Sequence, residues 1–140
     1  MYANEAEIER LAHHFLALTL PKPQWTHAAH FAAALFLLRQ GRGREMPERI
    51  RVYNVAVGGQ NTDTDGYHET ITWASLRAAE AQRLSMPNAP LDKVANALLA
   101  GPLGASRWPL EYWSEGVLFS PQARRAWVEP DLKPLPFPPL

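Results

Sequence analysis

Apolar residues recur every three or four positions along most of the chain, a spacing that predicts successive α-helices. The first helix is predicted from Glu5 to Leu20, because one face of it carries Ile8, Leu11, Ala12, Phe15 and Leu18. Asn4 is placed to cap its start. Pro21 and Pro23 follow, and proline cannot continue a helical hydrogen-bond ladder.

The second predicted helix, from Thr26 to Gln40, is apolar on nearly every side. Gly41 is placed to end it. A helix without a polar face is normally buried among other helices, and this one is too short to span a bilayer. Such a helix also suits a homodimer, although a domain with several helices can cover it unaided.

The remaining pattern predicts five further helices, two of them short, and an extended tail. Pro47 suits the first turn of a third helix ending near Val57, although the β-branched residues of this segment make a strand the alternative. Later helices are predicted over 66–84 and 91–100, in a short segment from Pro109, and after the cap Ser120 as far as Trp127.

The C-terminal segment 129–140 contains too many prolines for a helix or a central strand. We expect it to lie extended against the domain through Leu132, Leu135 and Phe137. The predicted fold class is therefore all-α: a single-domain bundle of about six helices over residues 1–128, followed by a Pro-rich tail.

Composition narrows the classes of function. The 14 basic and 14 acidic side chains cancel, which argues against a nucleic-acid partner because phosphates normally require a basic face. Cysteine is absent, so any metal must be held by imidazole and oxygen ligands. The acidic N-terminus differs from a secretory signal, and no segment has the roughly 20 apolar residues of a membrane span. We therefore expect a soluble, cytoplasmic protein.

Two histidines stand near the start of the apolar second helix. His27 and His30 are three residues apart, so both imidazoles can reach a single metal ion. Each points toward apolar packing, where an unpaired polar group costs about 1–3 kcal/mol. The alternative is a pair of core histidines, each satisfied by a backbone carbonyl or another side chain. Trp25 borders the pair and is placed to wall a pocket.

The polar loop before the fourth helix holds the second group of candidates. The stretch 61–66 resembles the start of an EF-hand calcium loop, but its twelfth position is Thr72 instead of glutamate, which argues against a calcium site of this kind. Thr64 or Asp65 is expected to cap the helix. His68 and Glu69 then fall in the first turn, where the helix dipole favours a neutral imidazole.

If the second and fourth helices pack together, their N-terminal ends bring His27, His30 and His68 into one site. Three histidine ligands with an open position are typical of a catalytic metal centre. We therefore predict a small metalloenzyme that holds a divalent ion (Fe, Zn or Mn) and acts on a small-molecule substrate. Glu69 would be a fourth ligand or a general base on bound water, with Asn54, Asn61 and Tyr67 as supporting contacts.

Two other functions fit the same residues. One is a metal-free enzyme in which His68 and Glu69 perform acid–base chemistry on a small polar substrate. The other is a non-catalytic binding module that holds its partner through the Trp25 region or the Pro-rich tail. No phosphate-binding glycine loop or nucleophile elbow is present, so nucleotide-dependent and serine-hydrolase functions have no support.

Three segments carry a family resemblance: WTHAAHF at 25–31, YNVAVGG at 53–59 and NTDTDGYHETIT at 61–72. Together with the segment around WVEPDLKPLP at 127–136, they resemble a group of short, mostly bacterial, uncharacterised proteins. The resemblance implies no particular activity, cofactor or fold. It emphasises the same histidines and the same loop.

Overall fold

The chain forms seven α-helices joined by loops and short 3₁₀ turns, and it contains no β-strand. The computed structural model describes all residues, 1–140. The helices are α1 (Glu5–Leu16), α2 (His27–Arg39), α3 (Met46–Ala56), α4 (Glu69–Ser85), α5 (Leu91–Ala100), α6 (Glu115–Leu118) and α7 (Pro121–Arg125). The all-α prediction is confirmed, and α3 is a helix rather than the alternative strand. No helix combines the length and the apolar character needed to cross a membrane.

The apolar helix α2 lies at the centre of the fold. It packs against α1, α4 and α5, which together cover its sides. Every residue from Phe31 to Leu38 is buried. The expected contact between the second and fourth predicted helices is therefore present. The chain itself covers α2, so this helix does not require a second copy of the protein to be buried.

Helix α1 ends four residues earlier than its apolar pattern predicts. Leu18 adopts a positive φ of 63°, which L-residues rarely adopt and which no helix interior tolerates. The chain then turns back, and the Leu20 carbonyl accepts a hydrogen bond from the Tyr53 hydroxyl at 2.8 Å. Leu20 is thus buried against α3 instead of extending α1. This contact is between distant segments, so a local periodicity could not reveal it.

The loop before α4 ends differently from the prediction. The backbone N–H groups of Thr64 and Asp65 donate to the Thr62 hydroxyl, so these residues form a turn instead of the start of the helix. Gly66 has a φ of 83°, and a Cβ there would lie 1.8 Å from the Gln60 carbonyl oxygen, so only glycine fits. Helix α4 consequently begins at Glu69, and neither Thr64 nor Asp65 caps it.

The tail packs on the domain through its later residues. Leu135, Phe137 and Leu140 contact the core, whereas Leu132 is 57% exposed, so its predicted packing is wrong. The Arg77 guanidinium on α4 anchors the tail by donating to the Phe137 carbonyl. Proline has no backbone N–H, so this segment can donate few backbone hydrogen bonds. Its carbonyl groups can still accept charge-assisted hydrogen bonds from a cation such as the Arg77 guanidinium.

A buried hydroxyl joins α4 to the C-terminal part of the chain. Thr70 is fully buried, and its Oγ1 lies 2.7 Å from the Ala123 carbonyl and 2.9 Å from the Ala126 carbonyl. Its oxygen also accepts from the Val128 N–H at 3.2 Å. One side chain therefore satisfies backbone groups at both the end of α7 and the start of the tail.

We expect Thr70→Val to lower the free energy of unfolding by about 1–3 kcal/mol, because the isosteric methyl removes the hydrogen bonds that this buried hydroxyl makes to the backbone. Urea unfolding followed by circular dichroism measures the change. Thr19→Val, at an exposed hydroxyl, is the control and should change stability by less than about 0.5 kcal/mol. Equal effects of the two substitutions would contradict the assignment.

Candidate functional site

The two histidines of α2 are each oriented by a backbone carbonyl. His27 Nε2 donates to the Leu103 carbonyl at 2.7 Å, and His30 Nδ1 donates to the Thr26 carbonyl at 2.7 Å. A carbonyl can only accept, so each contact defines which ring nitrogen carries the proton. The lone pairs that remain are on His27 Nδ1 and His30 Nε2, and neither makes a hydrogen bond within the chain.

Aromatic rings hold His30 in place. Its imidazole lies against Trp25, with ring centroids 3.9 Å apart, and Phe15 stacks on the other side of Trp25 at 4.3 Å. Burial lowers the pKa of His30 to about 4, with a smaller contribution from the positive charge that His27 can carry. The hydrogen bond to Thr26 opposes this shift only partly. His30 is therefore a neutral imidazole at neutral pH.

His27 and His30 line the same apolar cavity, which has a volume of about 290 Å³. It lies between α2, α3, α4 and the segment around Trp108. Its apolar walls include Phe31, Ala34, Met46, Ile50, Leu76 and Trp108. An apolar cavity of about 150 Å³ is large enough for benzene, so this one can hold a larger organic group.

His30 also borders a second space, a polar cleft of about 400 Å³. The cleft is lined by Lys22, Trp25, Asn54, Gln60, Asp65 and Tyr67, among others. The apolar cavity and the polar cleft share four wall residues: His30, Ile50, Ile71 and Thr72. His30 thus stands where an apolar space meets a polar one.

His68 lines the polar cleft but has both ring nitrogens engaged. Its Nε2 donates to the Leu118 carbonyl at 2.6 Å, and its Nδ1 accepts from the Ile71 N–H at 3.1 Å. His68 is therefore the N-cap of α4, one position before the first-turn place predicted for it. Burial lowers its pKa, so it is neutral as expected, but neither nitrogen is free for a ligand.

The other predicted site residues build the loop beside the cleft. The Asn61 side chain accepts from Asn54 Nδ2 and from the Tyr67 N–H, each at 3.0 Å. Tyr67 donates its hydroxyl to Glu69 at 2.5 Å, and burial together with this carboxylate raises the pKa of Tyr67. Arg51 lies 3.6 Å from the Glu69 carboxylate. Glu69 faces a different surface depression from the one that His68 lines.

No group of three or more His, Asp or Glu side chains is placed to hold a metal ion. His27 and His30 share a cavity, whereas His68 is occupied with backbone groups in the adjoining cleft. In the polar loop, Asp63 forms an ion pair with Arg125, so the EF-hand pattern has no ring of free oxygen ligands. The three-histidine metal site stays a prediction.

Comparison with known protein families, with curated proteins and with solved structures found no match for this chain. The resemblance of the segments at 25–31, 53–59 and 61–72 to a group of short bacterial proteins therefore stays a prediction.

Most residues that line the apolar cavity were not indicated by the sequence pattern. Thr72, Ser75 and Leu76 of α4 line the apolar cavity, and their spacing of three and four residues places them on one helix face. Ser75, a small polar residue on that face, was the one sequence feature that could have indicated a cavity there. Ser106 and Trp108 come from a loop, and only the fold brings them opposite α2.

We expect the His30 imidazole to remain neutral down to about pH 5 in an NMR titration of its ring resonances. An unfolded histidine titrates near 6.5, so the unfolded chain binds a proton more readily. The contribution of this residue to stability is fully present above about pH 6.5 and is lost as the pH falls toward 4. The partly exposed ring limits the loss to about 1–3 kcal/mol.

The matched variant is His30→Phe, which keeps an aromatic ring beside Trp25 but has no group that can be protonated. The Thr26 carbonyl still accepts the backbone N–H of residue 30, at 3.1 Å in the native protein. The pH dependence of urea unfolding between pH 4 and 6.5 should be shallower in this variant, whereas the contribution of His68 remains. A His30 pKa near 6.5 would contradict the burial argument.

Proposed function

We propose that this protein binds a small organic molecule in the apolar cavity, with His30 Nε2 as its principal polar contact. One observation carries the proposal: His30, oriented by the Thr26 carbonyl and with an unused lone pair on Nε2, lines a mostly apolar cavity whose other polar wall residues are His27, Thr72, Ser75 and Ser106. Ligand sites are typically apolar concave spaces with a few fixed polar groups. An acceptor in apolar surroundings selects ligands that carry an N–H or O–H donor.

The environment of His30 favours binding over proton transfer. A general base works best when its pKa lies near the working pH. The pKa of His30 is about 4, so its imidazole is neutral at neutral pH: it can accept a hydrogen bond at Nε2 but is a weak base. The alternative acid–base pair of His68 and Glu69 is less favourable, because His68 uses both nitrogens and Glu69 lines a separate depression.

The test uses 2-naphthol, which carries a hydroxyl donor on an apolar body larger than benzene. We expect saturable 1:1 binding by isothermal titration calorimetry, with NMR shifts concentrated at cavity residues. Ala34→Leu should fill part of the cavity, weakening binding by about tenfold or more. The same substitution should raise the free energy of unfolding by about 0.5–2 kcal/mol, because cavity filling is stabilising.

Ala28→Leu is the control, since Ala28 lies on the same helix outside the walls of both the apolar cavity and the polar cleft. It should leave 2-naphthol affinity unchanged. Absence of saturable binding by the wild-type protein would contradict the proposed function. Equal binding by Ala34→Leu would show that the ligand occupies another place.

A second candidate function is metal binding by the pair His27 and His30. Ligating histidines almost always donate their other ring N–H to a carbonyl, carboxylate or water, and both residues donate to backbone carbonyls. Both are also i, i+3 neighbours on α2, which suits a shared ion. Water or a bound small molecule would complete the coordination of Fe, Zn or Mn.

For this candidate, protein purified without nickel resin or chelator should contain about one metal ion per chain by elemental analysis. His27→Ala should lose that metal, whereas His14→Ala, at an exposed histidine on α1, should retain it. Metal-free protein that remains folded and takes up no Zn²⁺ on titration would exclude the candidate. Such a result would leave the small-molecule proposal standing.

A further inference from the structure

The apolar cavity and the polar cleft meet at a single wall. His30 and Thr72 are its polar members, and Ile50 and Ile71 are its apolar members. His30 lines both spaces, and its Nε2 is an acceptor that makes no hydrogen bond within the chain. A ligand that places a donor at His30 can therefore extend in both directions, toward apolar walls on one side and polar ones on the other.

Two opposite charges in the walls of the polar cleft restrict the ligand class further. Lys22 and Asp65 both line the cleft, and neither side chain forms an ion pair or a hydrogen bond within the chain. Their charges offset one another, so the cleft has no net preference for an anion or a cation. Moving a charged group out of water without a dedicated partner is costly, whereas an uncharged polar group is accommodated more easily.

We infer that the ligand is an uncharged amphipathic molecule whose N–H or O–H donor separates an apolar group from a polar one. The apolar group occupies the cavity beside Phe31, Ala34 and Trp108, and the donor bonds to His30 Nε2. The polar group lies in the cleft near Lys22 and Asp65. Secondary amides and alcohols share this chemistry. The inference rests on the proposed function and specifies the class of molecule bound.

N-benzylacetamide is a suitable probe, since its benzyl group, amide N–H and acetyl group have the required order. N-benzyl-N-methylacetamide is the matched probe that lacks the donor. We expect the methylated probe to bind about tenfold more weakly, because the His30 acceptor is left unpaired. In His30→Phe the two probes should bind with nearly equal affinity. The wild-type comparison is informative even if the variant folds poorly.

Chemical-shift changes in ¹H–¹⁵N NMR spectra show which of the two spaces the bound ligand occupies. A molecule that spans both spaces should shift the backbone resonances of Ala34 and Trp108 in the apolar cavity and those of Gly59 and Gly66 at the cleft. The Trp25 indole N–H, beside His30, should shift as well. Shifts confined to the cavity would overturn the spanning arrangement.

The role of the cleft charges is tested with two related probes that keep the secondary amide. N-benzylglycinamide adds an ammonium group and N-benzylsuccinamate adds a carboxylate. In the wild-type protein both should bind more weakly than N-benzylacetamide and within about fivefold of each other. Lys22→Gln should favour the cationic probe over the anionic one, and Asp65→Asn should do the opposite. A strong wild-type preference for either charged probe would overturn the uncharged ligand class.

A wrong ligand class and a wrong proposed function give different experimental results. If the methylated probe binds as tightly as the parent and the shifts stay within the cavity, the ligand class is wrong and the apolar cavity remains a binding site. If no benzyl probe shifts any cavity residue, the proposed function is wrong as well.

Discussion

The burial of α2 is the constraint on which the rest of the structure depends. A helix with no polar face must be covered on all sides, and α1, α4 and α5 supply that cover. Burial of a phenylalanine or leucine side chain contributes about 1.5–3 kcal/mol, and five of the eight consecutive buried positions from Phe31 to Leu38 carry one of these two residues. The covering is incomplete near the N-terminal part of α2, and the apolar cavity lies there beside His27 and His30.

Backbone carbonyls determine what the three central histidines can do. Each ring donates one N–H to a carbonyl: His27 to Leu103, His30 to Thr26 and His68 to Leu118. The difference lies in the other nitrogen. In His68 the second nitrogen caps α4 by accepting from a backbone N–H, whereas in His27 and His30 the second nitrogen keeps a free lone pair. Three residues with the same chemistry thus divide into one that stabilises a helix start and two that face a cavity.

The site combines a rigid acceptor with two adjoining spaces, one apolar and one with more polar walls. The Thr26 carbonyl one helical turn earlier and the Trp25 ring hold His30, so little of its side-chain freedom is left to lose on binding. The loop that borders the polar cleft is held by Asn61 and by the close approach at Gly66. Both sides of the candidate site are therefore largely formed before a ligand arrives, which favours specific recognition over adaptation.

The sequence determined the helices, the central place of α2 and the pairing of His27 with His30, because all three depend on spacing along a single segment. It could not determine the end of α1, where Tyr53 captures the Leu20 carbonyl. Nor could it show that His68 donates to the Leu118 carbonyl, because that residue is 50 positions away along the chain. The cavity walls have the same origin: they come from helices and loops that meet only after folding. Local periodicity reports which face of a helix is buried, whereas the partner of each polar atom depends on contacts between distant segments.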